Sequence, residues 1–228
     1  MANAPLLTIR KDWPRPKADL LAKFAGYPLG WICDSNGRQG ALDATVRPIA
    51  CAKPFVGSAL TCSSGAADNL GMHVALKYAK PGDVIIVAGE RCTSCALTGD
   101  HMVGMAKNAG VAAVVTDAAV RDRAGLVGIG LPVYGGGINP NGPWKSGPGS
   151  VGLPISIGGK IVEPGDIVVG DEDNVVIIAR ADAELVIEAL AETKAKEEAM
   201  DDDIVGGGIT YSPLVDDALD SMEVRWIE

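Results

Sequence analysis

Positive charge is in deficit in this chain of 228 residues: 20 lysines and arginines stand against 29 aspartates and glutamates, a net charge of −9. Binding along a nucleic-acid backbone needs clustered cations, so DNA and RNA are excluded as principal partners. A small anion answers to local charge and is not excluded. Aromatic residues make up only 4%, too few for platforms on which single-stranded bases stack. No apolar run approaches the ~18 residues of a membrane span. The N-terminal MANAPLLTIRKDWPRP also lacks the basic-then-apolar order of a secretory signal. Five cysteines, an odd number, suit reduced cytoplasmic thiols better than a disulfide framework. Cys92 and Cys95 have no second Cys or His pair at matching spacing, and the two histidines lie far apart, so zinc is not indicated and the pair reads as two reduced thiols. What is present, 47% apolar and 21% charged residues, describes a soluble globule long enough to bury one good core.

The order of segments predicts a mixed α/β domain. Helical spacing covers Ala18 to Tyr27, Asp68 to Ala79, a stretch opening at Gly99-Asp100, and Ala181 to Met200. Strand-like runs lie within Thr45 to Ser64, at Val84 to Ala88, Val111 to Thr116 and Leu131 to Gly137, and several short ones follow between Ser150 and Ala179. Pro164-Gly165-Asp166-Ile-Val-Val echoes Pro81-Gly82-Asp83-Val-Ile-Ile, a repeat of one turn-strand unit. Ile138 to Gly149 is rich in Gly, Pro and Asn and is a loop long enough to line a pocket or an interface. Residues 1–200 read as one domain. Residues 201–228 read as an acidic but partly apolar extension, expected to lie on that domain or on a neighbouring subunit.

The most informative stretch runs from Thr98 to Gly125. Met102, Met105, Ala106 and Ala109 share one helical face, Gly110 stops the helix, and a buried strand follows. A helix of roughly 11 residues rises about 16 Å, and a six-residue strand of about 3.3 Å per residue returns nearly as far. Arg121 and Asp122 therefore come back beside Asp100. One pocket then holds a fixed cation, two carboxylates and the free N–H groups of a helix start, a setting for a metal ion and an anionic substrate.

Motifs in a fixed order carry a resemblance. Pro81-Gly82-Asp83-Val-Ile-Ile-Val, Thr98-Gly99-Asp100, Gly110-Val-Ala-Ala-Val-Val-Thr-Asp117, Val120-Arg121-Asp122-x-x-Gly125, Leu131-Pro-Val-Tyr134, Gly158-Gly159 and Val162-x-Pro164-Gly165-Asp166 follow one another. In that order they resemble the RraA-like superfamily over most of Arg47 to Ala179. The resemblance implies a three-layer β/β/α domain with a C-terminal helix and extension, assembled as homotrimers or homohexamers with sites between subunits. One branch of the family holds metal-dependent pyruvate aldolases for 4-hydroxy-4-methyl-2-oxoglutarate or 4-carboxy-4-hydroxy-2-oxoadipate, which also decarboxylate oxaloacetate. The other holds noncatalytic regulators that bind a ribonuclease and lack the acid after the arginine. The Arg121-Asp122 pair implies the aldolase branch. Asp122 would then touch Mg²⁺ or Mn²⁺ directly, Asp100 would hold metal-bound water, and Arg121 would bind substrate oxygens. A neighbour's C-terminal helix supplies a glutamate, for which Glu197 and Glu198 are the candidates. Glu90 to Cys95 replaces a Gly-rich loop of the family, and Asn174 to Ala179 lacks its Asp-Gly turn.

The chemistry these residues suit is cleavage beside a 2-oxo acid. A hard cation that keeps several waters needs few carboxylates, and Arg121 stays protonated and can fork onto a carboxylate or an enolate oxygen. Gly99, His101 and Met102 frame a helix start whose N–H groups can receive the carboxylate of a small anionic 2-oxo acid. No Schiff-base lysine is required. Two other readings compete: a regulatory protein acting through its oligomeric surface, and a lyase with the same metal-enolate chemistry on another oxo acid. His73, on an apolar stripe, reads as a core histidine, and Asp171 to Asp173 as a solvated hairpin turn.

Overall fold

A strand buried on both faces needs cover on both sides of its sheet, and the longest strand, Phe55–Ser64, buried along nearly its whole length, forms the spine of the fold. The computed structural model describes residues 6–212 and 214–227. A short strand β1 (Leu7–Ile9) and helices α1 (Ala18–Ala22) and α2 (Leu29–Ser35) come first. Then follow β2 (Arg47–Ala50), β3 (Phe55–Ser64), α3 (Leu70–Tyr78), β4 (Asp83–Ala88), β5 (Ala96–Thr98), α4 (Asp100–Asn108), β6 (Ala113–Thr116), β7 (Ala119–Val120), α5 (Arg123–Ile129), β8 (Val133–Gly135) and β9 (Gly137–Ile138). Five further strands complete the sheets: β10 (Gly149–Val151), β11 (Ile155–Ile157), β12 (Lys160–Val162), β13 (Ile167–Gly170) and β14 (Val175–Ile178). Helices α6 (Ala183–Val205) and α7 (Leu214–Ser221) end the described chain.

The main sheet runs β1-β10-β3-β4-β6-β8-β2, with β13 on β3 and β14 on β13. Its centre, β3-β4-β6-β8, is parallel, so each step needs a crossover. The period-two alternation of strand side chains divides the core. Leu60, Ile85, Val87, Val114 and Val133 face α3, α4 and α5, where Met72, Val103, Ala106 and Leu126 meet them. Ala59, Val84, Ile86, Val115 and Tyr134 face the other way, onto Ile155, Ile157, Val162, Val168 and Val175 of the β11–β14 ribbon. The far side of that ribbon, Ile167, Val169, Val176 and Ile178, is closed by Phe24, Leu29, Ile32, Val186 and Leu190. The expected β/β/α layering is therefore present, with α1, α2 and α6 as a further cover.

Each crossover from β4 and β6 pauses before its helix. β5, β7 and β9 pair in parallel as a second small sheet at the carboxyl ends of the main strands. The repeated Pro-Gly-Asp unit is a repeated device. Gly82 (φ 83°) and Gly165 (φ 88°) take the left-handed conformation that glycine adopts at no steric cost. The Asp83 and Asp166 carboxylates each accept the N–H three residues back, from Lys80 at 2.9 Å and Glu163 at 2.8 Å.

One expectation changes: the last long helix continues past Met200 to Val205. Val205 and, in the extension beyond it, Leu214, Trp226 and Ile227 are exposed in the single chain. The length of α6 has a local cause, a run of good helix formers from Ala183 to Met200 with no glycine until Gly206.

Asp83 also anchors the N-terminal arm. Arg15 meets it in a fork, Nε to Oδ1 at 2.8 Å and Nη2 to Oδ2 at 3.0 Å, while lying 4.2 Å from the centre of the Trp13 ring. The Asp83 side chain is 1% exposed, so Arg15→Ala strands a buried charge. The expected loss is about 3–5 kcal/mol of stability, read by urea unfolding. A loss within about 0.5 kcal/mol, as at an ordinary surface site, would show that the pair carries nothing.

Candidate active site at the carboxyl ends of the parallel strands

In open α/β sheets, ligands sit beyond the carboxyl ends of the strands, and here the turns β5–α4 and β7–α5 meet at that end. Their contact depends on two glycines. A Cβ on Gly99 would stand 2.4 Å from Asp122 Oδ2 and 3.0 Å from Arg121 Cγ. A Cβ on Gly125 would stand 2.8 Å from both Cβ and Oδ2 of Asp100. Each turn thus seats its neighbour's carboxylate against a bare backbone. Arg121 N–H donates to the Thr98 carbonyl at 3.0 Å, which fixes the register of the two turns.

Asp122 occupies the first cap position of α5 but does not cap it. Its backbone is left-handed, φ 60°, and its carboxylate turns to Arg121 Nε at 3.2 Å. Both side chains are open to solvent, at 41% for Arg121 and 40% for Asp122. Asp100 starts α4, where a carboxylate complements the helix dipole. Its Oδ1 accepts the His101 N–H at 2.7 Å. That corrects one expectation: the His101 N–H is engaged by the neighbouring carboxylate, so of the two expected anion donors it is Met102 that no carboxylate engages.

Gly99, Asp100, His101, Met102, Arg121 and Asp122 all line one cavity of ≈ 210 Å³. Its remaining wall was not legible as a site. Asn69, His73, Leu97, Thr98, Met105, Pro143 and Lys145 complete it. Asn69 Oδ1, His73 Nε2 and Thr98 Oγ1 are buried there without a hydrogen-bond partner among the described residues. Buried polar atoms without partners cost stability, and three of them belong to residues around this one cavity. Asn69 is held in place by its own amide, which donates to the Leu97 carbonyl at 3.0 Å. The loop bearing Pro143 and Lys145 is pinned by the buried Asp68, which accepts N–H groups from Leu70, Ser146 and Gly147. The long loop after Ile138 does line a pocket, as its length implied.

His73 is therefore a cavity residue as well as a helix residue. Burial, and then the Lys145 ammonium, push its pKa below the ordinary imidazole value, with Asp68 pulling the other way. Glu197 and Glu198 do not join the cavity of their own chain. Both stand on α6, which packs on α2, and Glu198 pairs with Lys194 at 3.7 Å.

Known proteins bear on this geometry. The RraA-like family, described as Aldolase/RraA, matches residues 30–177. The chain belongs to that family. A protein of Halalkalibacterium halodurans with the provisional name 4-hydroxy-4-methyl-2-oxoglutarate aldolase is 32% identical over 191 residues, 82% of this chain and 91% of that one. An uncharacterised protein of Pseudomonas syringae pv. tomato superposes with a TM-score of 0.76 at 18% identity, over 86% of this chain and 97% of that one. The RNA-processing inhibitor RraA of Thermus thermophilus superposes with a TM-score of 0.62 at 26% identity, over 67% of this chain and 92% of that one. The RraA-like fold read from the motifs is thus the fold observed.

Two outcomes test this geometry. Gly125→Ala keeps the fold, because alanine favours a helix, but it displaces Asp100; the expected result is near-normal circular dichroism with activity reduced by at least about tenfold. Undiminished turnover would show that the Asp100 seat does not matter. For His73 the folded state favours the neutral ring, so stability is present above the unfolded value of about 6.5 and falls as pH drops through it. His73→Asn should flatten that acid slope in urea unfolding, and an unchanged slope would assign it elsewhere.

Proposed function

We propose that this chain is a divalent-metal-dependent carbon–carbon lyase. Its substrate is a 4-hydroxy-2-oxo acid with a second carboxylate, 4-hydroxy-4-methyl-2-oxoglutarate or 4-carboxy-4-hydroxy-2-oxoadipate. Oxaloacetate decarboxylation is its second activity. The observation that carries the reading is the convergence of Asp100, Arg121 and Asp122 on one cavity through two glycine seats. The name of the Halalkalibacterium relative supports the substrate class.

The donor set suits a hard cation. Among the described residues no three His, Cys, Asp or Glu side chains cluster as a metal cage, which disfavours a closed zinc site. Mg²⁺ or Mn²⁺ bound through one carboxylate and several waters fits better. Asp122 would hold the ion and Asp100 one of its waters. When bound, such an ion polarises a ketone oxygen as a Lewis acid.

The chain's own groups do the rest. Arg121 offers a planar fork, already oriented by Asp122, to the 2-oxo acid and to the oxygen that gains charge as pyruvate leaves as its enolate. The open start of α4 at Met102 faces the substrate carboxylate. Lys145 adds a second cation to the lining, to which the second carboxylate of the substrate would be drawn. Aldol cleavage also moves a proton from the 4-hydroxyl, and a carboxylate or a water it orients can accept it. Glu197 and Glu198 lie outside the cavity of their own chain, so this role belongs to a second copy, in a homotrimer or homohexamer.

A regulator that binds a ribonuclease is the second reading, favoured by the likeness to the Thermus inhibitor. Asp122 argues against it, because for its left-handed backbone and unused cap position its carboxylate gains, among the described residues, only a solvent-exposed pairing with Arg121. A lyase acting on another oxo acid is the third. One assay separates the three: pyruvate release from oxaloacetate and from both aldols, with Mg²⁺ and after EDTA. The expected result is turnover that EDTA abolishes and Mg²⁺ or Mn²⁺ restores. Asp122→Asn should lose most activity and metal affinity while remaining folded. Release that persists in EDTA, or an Asp122→Asn variant as active as the wild type, would overturn the proposal; activity on oxaloacetate alone would favour the third reading.

A further inference from the structure

The segment Glu90 to Cys95 takes no part in the proposed lyase chemistry, yet it is built with care. Glu90 and Arg91 both take left-handed backbone conformations, φ 54° and 53°. Strain of that kind persists only where the surroundings hold it, and here the holding contacts are visible. Gly89 N–H donates to the buried Asp117 carboxylate at 2.7 Å. Asn139 and Asn141 side-chain amides donate to the Thr93 and Ser94 carbonyls at 2.9 and 3.1 Å. Cys92 N–H reaches the Gly89 carbonyl at 3.1 Å, and the Cys92 carbonyl accepts from Ala119 at 2.9 Å.

This frame presents two sulfurs in unlike settings. Cys92 is half-buried and Cys95 is 7% exposed, and both border one small depression with Gly65, Ala67 and Asp68. The Ser94 hydroxyl lies 3.3 Å from the Cys92 sulfur. That hydroxyl, joined more weakly by the backbone N–H groups of Ser94, Ala67 and Cys95, lowers the Cys92 pKa against the opposing effect of burial and favours the thiolate. Cys95, its pKa raised by burial and by the neighbouring Cys92, remains a thiol three residues along the same turn. A partly accessible sulfur prepared as a nucleophile, with a buried thiol three residues on in the same turn, is the arrangement of a redox pair.

We propose that Cys92 and Cys95 form a reversible dithiol–disulfide site whose oxidant is a peroxide. The Cys92 thiolate attacks a peroxide oxygen; an S–O bond forms, the O–O bond breaks, and the departing oxygen takes up a proton and leaves as water when the oxidant is hydrogen peroxide. The Cys95 sulfur then attacks the Cys92 sulfenic acid, forming S–S, breaking S–O and releasing a second water with the thiol proton. Two thiols lose two electrons, and the peroxide gains them. A dithiol reductant reverses the change.

Trypsin cuts after Arg91 and after Lys107, so Cys92 and Cys95 share one peptide that none of the other three cysteines enters. The full-length protein is treated with stoichiometric hydrogen peroxide, alkylated with N-ethylmaleimide, digested and weighed. The expected peptide is two hydrogens lighter and carries no alkyl group, and dithiothreitol before alkylation returns it to the doubly alkylated form. Cys95→Ser should leave Cys92 as a sulfenic acid that dimedone labels. Retention of both alkylatable thiols would overturn the proposal. So would oxygen added at Cys92 in the wild type, or a bond from Cys92 to another chain. This readout is independent of any lyase activity.

Discussion

Everything at the candidate site rests on one close approach, that of the turn before α4 to the turn before α5. Two helix starts side by side would ordinarily be kept apart by their first side chains. Here Gly99 gives its space to Asp122, and Gly125 gives its space to Asp100. Neither glycine is needed for a left-handed backbone, since Gly99 has φ −149° and Gly125 lies within α5. Their role is volume. The result is a pair of carboxylates and a guanidinium at the end of the sheet, held by backbone geometry more than by attraction between charges.

A chain with a net charge of −9 also uses acid as internal fastening. Asp68, Asp83, Asp117 and Asp166 are all buried, between 1% and 6% exposed. Each accepts backbone N–H groups at a turn. Charge-assisted bonds of this kind are stronger than neutral ones, and they sit where a chain crosses from strand to loop. Asp68 shows how a fastening reaches function: it closes the start of α3 and, with its other oxygen, fixes the loop that carries Lys145 over the cavity.

What the sequence revealed and what it hid follow from the range of the interactions. The close return of Arg121-Asp122 to Asp100 was legible because it needs only a helix, a strand and their rises. The repeated Pro-Gly-Asp turn was legible because its glycine and its carboxylate act within four residues. His73 looked like a core residue, since Leu70, Val74 and Tyr78 share its stripe; that it borders a cavity depends on Lys145, far along the chain. Asn69 gave no signal, because its importance is an unpaired oxygen, and pairing is a tertiary property. The occupied His101 N–H was equally hidden. An aspartate at a helix start can bond its neighbour's N–H or leave it free, and composition does not choose.

The extent of strain at Asp122 separates structural from chemical explanations of the Arg121–Asp122 pair. An ion pair with partners 41% and 40% exposed contributes about 0–1 kcal/mol, much of it screened by salt. A side-chain cap at the same position would contribute about 1 kcal/mol, and Asp122 does not make one. A non-glycine residue at φ 60° meanwhile costs about 1–3 kcal/mol. Measured by stability alone, the arrangement loses: a glycine at 122 would remove strain, and an ordinary cap would add a bond. The geometry makes sense if the free carboxylate oxygen and the oriented guanidinium are there for something outside the chain. Three residues that line the same cavity, Asn69, His73 and Thr98, each keep a buried polar atom unpaired among the described residues, a second cost to stability at the same place.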